Sequence, residues 1–289
     1  MENILSIDVE DWFHLMEHPS LPGPSEWGKL PSRVEANFAD LLGILHDHNI
    51  TGTCFFLGWI ARKFPHLVKM ASKAGFEIAS HGMYHRPVYK QLPSEFLDDV
   101  ATSRKICEDI IGIAVTGYRA PAFSITERTP WAFEKLIEAG YGFDTSIFPA
   151  KRDYGGFYVE TLSPFIQQTK SGSIMEFPIS ITKILNRPFC FFGGGYFRLF
   201  PYPLIRKMAL KVLNENRPLI FYIHPRDIDP EQPRYNLGTF RNFKSYVNLK
   251  STERKLRRFL NDFRFTSYRE WYKNNKERFI NDEERSESR

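Results

Sequence analysis

The residues able to do chemistry sit where short apolar runs end. Asp8-Val9-Glu10-Asp11 places three acids in four residues directly after Ile4-Leu5-Ser6-Ile7. Such a cluster can serve as an acidic turn or a helix cap. Carboxylates at a strand end nevertheless repel one another unless a cation or an arginine offsets them. His81-Gly82-Met83-Tyr84-His85 follows a second apolar run. Two histidines four apart on a helical or tightly turned backbone can direct both imidazoles to one divalent ion. With one upstream carboxylate they leave coordination positions open, as a catalytic ion requires. The segment is not the zincin pattern, because no Glu stands between the two histidines. Arg119-Ala120-Pro121 offers a guanidinium that can clamp a carboxylate bidentately. Phe143-Asp144-Thr145-Ser146 adds an acid that can also simply close an Asx turn. The very apolar Leu219-Ile220-Phe221-Tyr222-Ile223 ends on His224, a setting suited to a shifted pKa. Each feature has a structural reading by itself, but five strand ends in this order are hard to explain as turn chemistry.

The elements that must position these groups follow from composition and period. The chain has 289 residues, 42% hydrophobic and 25% charged, with 18 Gly and 19 Pro. That excludes collagen-like, low-complexity and wholly disordered chains. Net charge is +5 and spread out, so no nucleic-acid partner is expected. No apolar run reaches the roughly 18 residues of a membrane span, and the first residues lack a basic, then apolar, export signal. The expectation is a cytoplasmic protein. Cys54, Cys107 and Cys190 are read as small core residues, neither a disulfide framework nor a thiolate metal site. Strands are expected at 4–8, 51–57, 76–79, 115–119, 174–179 and 219–223. Ser32 and Glu35 have capping-box spacing ahead of a helix whose face carries Val34, Phe38, Leu41, Leu42 and Leu45. Further helices fit 66–73, the face Phe96, Val100, Ser103, Cys107 and Ile110, and 127–139. This alternation implies an α/β fold with a parallel sheet, open or closed into a barrel, with its site at the strand C-termini. Over 154–196 the helical period fades, which suggests insertions or long loops. Residues 1–270 read as one catalytic barrel and 271–289 as a frayed polar tail.

In order and flanks, these motifs resemble the polysaccharide deacetylases of carbohydrate esterase family 4, the NodB-homology group. The first motif resembles Ser6 through His14, the second 53–58 with 75–85, the third 119–123, the fourth 141–149 and the fifth 221–224. Asp8–His14, the Gly193-Gly194-Gly195-Tyr196-Phe197-Arg198 run and 224–230 are more narrowly similar to a subgroup with a C-terminal extension, found near exopolysaccharide loci. The resemblance implies a distorted (β/α) barrel that removes N- or O-acetyl groups from sugars with one divalent ion, usually zinc, or else Co2+, Ni2+ or Mn2+. Residue by residue it makes Asp8 the general base, His81 and His85 metal ligands, Arg119 the partner of the base and His224 the general acid. An imidazolium at 224 calls for a nearby acid such as Asp144. Val9 stands where much of the family has a second Asp. The metal carboxylate is then Glu10, which shares a strand face with Asp8, or Asp11 if the chain turns at once. Arg226-Asp227 departs from the aromatic and Glu common in relatives. The glycine triplet reads as a turn beside the cleft, since no P-loop Lys follows. Trp12, Phe13, Phe123, Tyr196 and Phe197 can face sugar rings or fill the core. The implied substrate is an acetylated sugar or glycan precursor. Two rivals are an allantoinase-like amidohydrolase and a non-catalytic glycan-binding barrel; the intact Asp8 and His224 count against the latter.

Overall fold

The computed structural model describes residues 2–16, 18, 20–150 and 155–279. The first half alternates as β1 (Asn3–Val9), α1 (Val34–Asp47), β2 (Thr53–Phe56), α2 (Gly58–Lys63), α3 (Pro65–Lys73), β3 (Glu77–Ser80), α4 (Pro93–Ile111), β4 (Gly117–Tyr118), α5 (Trp131–Glu138) and β5 (Phe143–Asp144). Two hairpins come next, β6 (Phe165–Thr169) with β7 (Gly172–Glu176) and β8 (Ile181–Ile184) with β9 (Arg187–Cys190). The chain ends through α6 (Gly194–Leu199), α7 (Tyr202–Asn214), β10 (Ile220–Ile223), α8 (Thr239–Tyr246), α9 (Leu249–Asp262), β11 (Phe265–Thr266) and α10 (Tyr268–Asn275).

β1 through β5 lie side by side in sequence order, each parallel to its neighbour. β10 takes the other edge of β1, and β11 pairs the start of β1. The path continues from β5 to β7 and ends at antiparallel β6. The result is a curled NodB-type half-barrel, α/β as the sequence implies, whose run of parallel strands opens all its C-termini to one rim. β1, β2, β3 and β10 are buried along their full lengths. Burial on both faces is why they read as continuous apolar runs and not as alternating ones. The hairpins fall in the stretch where helical period fades.

The expected face of α1 is buried, but its cap differs from the capping box. The Asp11 carboxylate accepts the Arg33 N–H at 3.2 Å and the Ser32 hydroxyl at 2.5 Å. A full negative charge at a helix N-terminus outcompetes a local hydroxyl, and Glu35 instead meets His66 at 2.9 Å. The three cysteines are buried. The tail begins later than composition suggests. Within α10, Tyr268 and Trp271 are buried, Trp271 edge-on to Phe177; residues 280–289 of the expected tail lie outside the described residues. No described helix is long and apolar enough to cross a membrane.

Gly193 marks where the α6 turn meets the sheet. Its backbone bridges Tyr222, and a Cβ there would overlap the Tyr222 ring. Gly193→Ala is expected to cost about 1–3 kcal/mol through overpacking, read as a lower urea midpoint at unchanged m-value.

Candidate metal and acid–base site

The end of β1 delivers Asp8 and Glu10 to one cleft, as a two-residue period requires. β3 delivers His81, whose N–H is held by the Phe56 carbonyl. The chain then turns through Gly82 (φ 72°) to His85 (φ 53°), so a tight turn, not a helix, brings the imidazoles together. Glu10 Oε1 lies 2.9 Å from Nε2 of each histidine. Among the described residues this is the one group of three able to hold a metal ion. Its protonation fits that use. His81 Nδ1 lies 2.9 Å from the Arg119 carbonyl, an acceptor, so Nδ1 carries the proton and Nε2 presents a lone pair toward Glu10. Positive charge, carried by the imidazoles themselves or by a metal ion, satisfies these contacts at 2.9 Å. Burial works against ionising Glu10, but the two histidines outweigh it and hold the carboxyl well below its usual range.

Asp11 is not part of this group. It is committed to Ser32, the Trp12 N–H and the start of α1, and Glu10 is the carboxylate that lies beside the two histidines.

Asp8 Oδ1 accepts from Arg119 Nη1 at 2.5 Å. Arg119 is fully buried and also bonds the Ser6 hydroxyl and the Tyr268 hydroxyl of α10. Its guanidinium lies 4.3 Å from the Phe55 ring centre. On the other flank His224 Nε2 stands 3.9 Å from Asp8 Oδ2.

The acid that serves His224 is Asp227 and not Asp144. Asp227 Oδ2 meets His224 Nδ1 at 2.9 Å, reaching back three residues across the turn at Pro225. Arg198, from the glycine-triplet helix α6, meets the other Asp227 oxygen at 3.0 Å. Burial disfavours the imidazolium, but Asp227, with Glu10 and Asp8, pushes His224 up to about 9. Asp144 is fully buried elsewhere, accepting from the hydroxyl and N–H of Ser146. Ser146 in turn accepts the Ala120 N–H, so Asp144 braces the loop after Arg119. Burial raises the pKa of both Asp144 and its neighbour Glu176.

The cleft measures about 440 Å³. Phe123 lines it, with Tyr222 and Phe240; Trp12, Phe13 and Phe197 are buried in the core instead, and Trp12 stacks on Tyr235. Tyr196 packs, half-buried, against a second apolar cluster. His14 closes the first motif, Ser6 through His14, which assigned it no role of its own. Its Nδ1 accepts the Asp11 N–H at 2.9 Å, which places its proton on Nε2. That buried Nε2 has no partner, although the residue lines the cleft among Phe13, Trp27 and Trp59. Burying an unpaired donor is costly.

The rim of carboxylates and imidazoles stands at the strand C-termini of a curled, mostly parallel sheet. Residues 27–141 match the family described as polysaccharide deacetylase, and residues 145–273 match a domain of unknown function, DUF3473. The chain is similar to polysaccharide deacetylases over residues 27–141. It is 27% identical over 125 residues to a peptidoglycan deacetylase of Helicobacter pylori, covering 43% of this chain and 41% of that protein. It is 31% identical over 96 residues to a peptidoglycan-N-acetylglucosamine deacetylase of Bacillus cereus, covering 33% of this chain and 35% of that one. The matches thus span less than half of either relative. A crystal structure described as a polysaccharide deacetylase from Mycobacterium smegmatis shares the fold, with TM-score 0.61 and 18% identity over 96% of this chain and 90% of that one.

His81→Ala or His85→Ala is expected to abolish bound zinc in elemental analysis of zinc-loaded, dialysed protein. Asp11→Ala should keep the metal and lose about 0.5–2 kcal/mol of stability through its helix cap; loss of metal in this variant would reinstate Asp11 as a ligand.

Proposed function

We propose that the chain is a metal-dependent hydrolase that removes an acetyl group from a sugar or glycan precursor. The observation that carries this reading is the opposition of Asp8 and His224 at 3.9 Å beside the Glu10–His81–His85 group. Binding alone needs neither a proton acceptor nor a donor. The two relatives named as deacetylases support an acetylated glycan as substrate. A divalent ion such as zinc, held by Glu10, His81 and His85, would supply Lewis-acid polarisation of the acetyl carbonyl and a more acidic water.

The side chains account for the remaining chemistry. Arg119 anchors one oxygen of Asp8, which leaves the other to accept the proton of the attacking water. Ser6 and Tyr268 fix the guanidinium so that Asp8 cannot swing away. His224, charged through Asp227, donates its Nε2 proton to the departing sugar nitrogen or oxygen. The His14 Nε2–H adds a donor in the cleft wall for an acceptor oxygen of the substrate. The products are acetate and the deacetylated sugar.

Acetate release from N-acetylated oligosaccharides and nucleotide sugars, with and without chelator, tests the assignment. Asp8→Asn is expected to retain the metal and lose roughly 10²–10⁴-fold in turnover; near-normal rates would remove Asp8 as the base.

The acid sets an alkaline limit. The imidazolium is complete well below pH 9 and is lost as pH rises through about 9, so turnover should fall there. Asp227→Asn removes the main group that opposes burial, and the limb should move to lower pH. An unmoved limb in the pH–rate profile would detach Asp227 from the acid.

A further inference from the structure

The β8–β9 hairpin lies apart from the main sheet and turns through Leu185 and Asn186. Both have positive φ, 48° and 61°. A two-residue turn of this kind favours Asn or Gly at both places. Asn186 suits it. Leu185 does not, because it has no short polar side chain to ease a left-handed backbone. Its side chain is also 94% exposed. Backbone strain and a solvated apolar group therefore coincide at one residue, and the fold needs neither. Ile184, Phe189 and, on α7, Leu210 add exposed apolar surface.

α7 packs beside the hairpin, its Lys211 ammonium donating to the Lys183 carbonyl at 2.5 Å. Its outer face, Arg206, Lys207, Leu210, Lys211 and Asn214, is solvated at helical spacing. With Lys183 and Arg187 the surface holds five cations, and neither 181–190 nor 202–214 contains an Asp or Glu. Among the described residues, only Arg206 of the five has an ion pair, to Asp262 at 2.8 Å.

We propose that this hairpin and the outer face of α7 form a docking surface for an anionic lipid bilayer. Leu185, with Ile184 and Phe189, enters the interface while the lysines and arginines meet headgroup charge. A second copy is the poorer occupant, since a two-fold contact would set these like charges against one another. An acidic protein would satisfy the cations but leave the strained, solvated leucine without a use. The surface is distinct from the cleft, so the proposal is independent of the hydrolase reading.

Co-sedimentation of the full chain with vesicles tests it. Binding is expected to phosphatidylcholine vesicles containing about a third phosphatidylglycerol, to weaken with salt, and to be absent with phosphatidylcholine alone. Leu185→Asn suits the turn, so it should keep or raise Tm while binding falls severalfold. Lys207→Glu and Lys211→Glu should each weaken binding roughly fivefold or more. No binding to the anionic vesicles, or equal binding by wild type and Leu185→Asn, would overturn the proposal. So would a dimer in analytical ultracentrifugation that Leu185→Asn dissociates.

Discussion

Two imidazoles and a carboxylate do not stay lone pair to lone pair, out of water, unless positive charge stands among them. Glu10 between His81 and His85 is such an arrangement, and it governs what surrounds it. The Nδ1 of His81 faces the Arg119 carbonyl, which leaves Nε2 directed at Glu10 and at any ion held there. The same Arg119 presents its guanidinium to Asp8. One residue at the end of β4 thereby fixes the tautomer of a candidate ligand through its backbone and orients the candidate base through its side chain. Asp8 and Ser6 engage one terminal nitrogen of its buried guanidinium, Tyr268 engages the other, and the Phe55 face covers it, while Nε is left without a partner.

The parallel framework is legible in the sequence because doubly buried strands leave unbroken apolar runs. The strand ends are legible because polar groups follow those runs abruptly. What is not legible depends on competition among distant partners. Glu10 and Asp11 are equivalent on paper until the start of α1 claims Asp11. Asp144 and Asp227 are both acids near strand ends, but Ser146 and Glu176 engage Asp144 at the end of β5 while a three-residue turn gives Asp227 to the imidazole. The C-terminal helix hides in polar composition because only Tyr268 and Trp271 face inward. The 154–196 stretch became two hairpins with little alternation to reveal them. His14 is recognised by an unpaired nitrogen, which no spacing encodes.

The constellation crosses the boundary between the two matched regions. His81, His85 and Arg119 fall within 27–141, whereas Asp8 and Glu10 precede it. Arg198, His224, Asp227 and Tyr268 lie in 145–273, the region described only as of unknown function. That region contributes the proposed proton donor His224, the Asp227 carboxylate that pairs with it and the Tyr268 hydroxyl that bonds Arg119. The two stretches interlock through one sheet, with β1 between β2 and β10.

This central placement of β1 bears on how the chain is made. Its register sets Ile4 against Ile220 and Asn3 against Phe265. At ribosomal speeds of about 5–20 residues per second, one edge of the earliest strand waits on the order of 10–40 s for its mate. Pairings this far apart in sequence also form slowly once both halves exist. During that wait an apolar edge stands open to any neighbouring nascent chain, so shielding by a holding chaperone at this step governs how much protein reaches its native form.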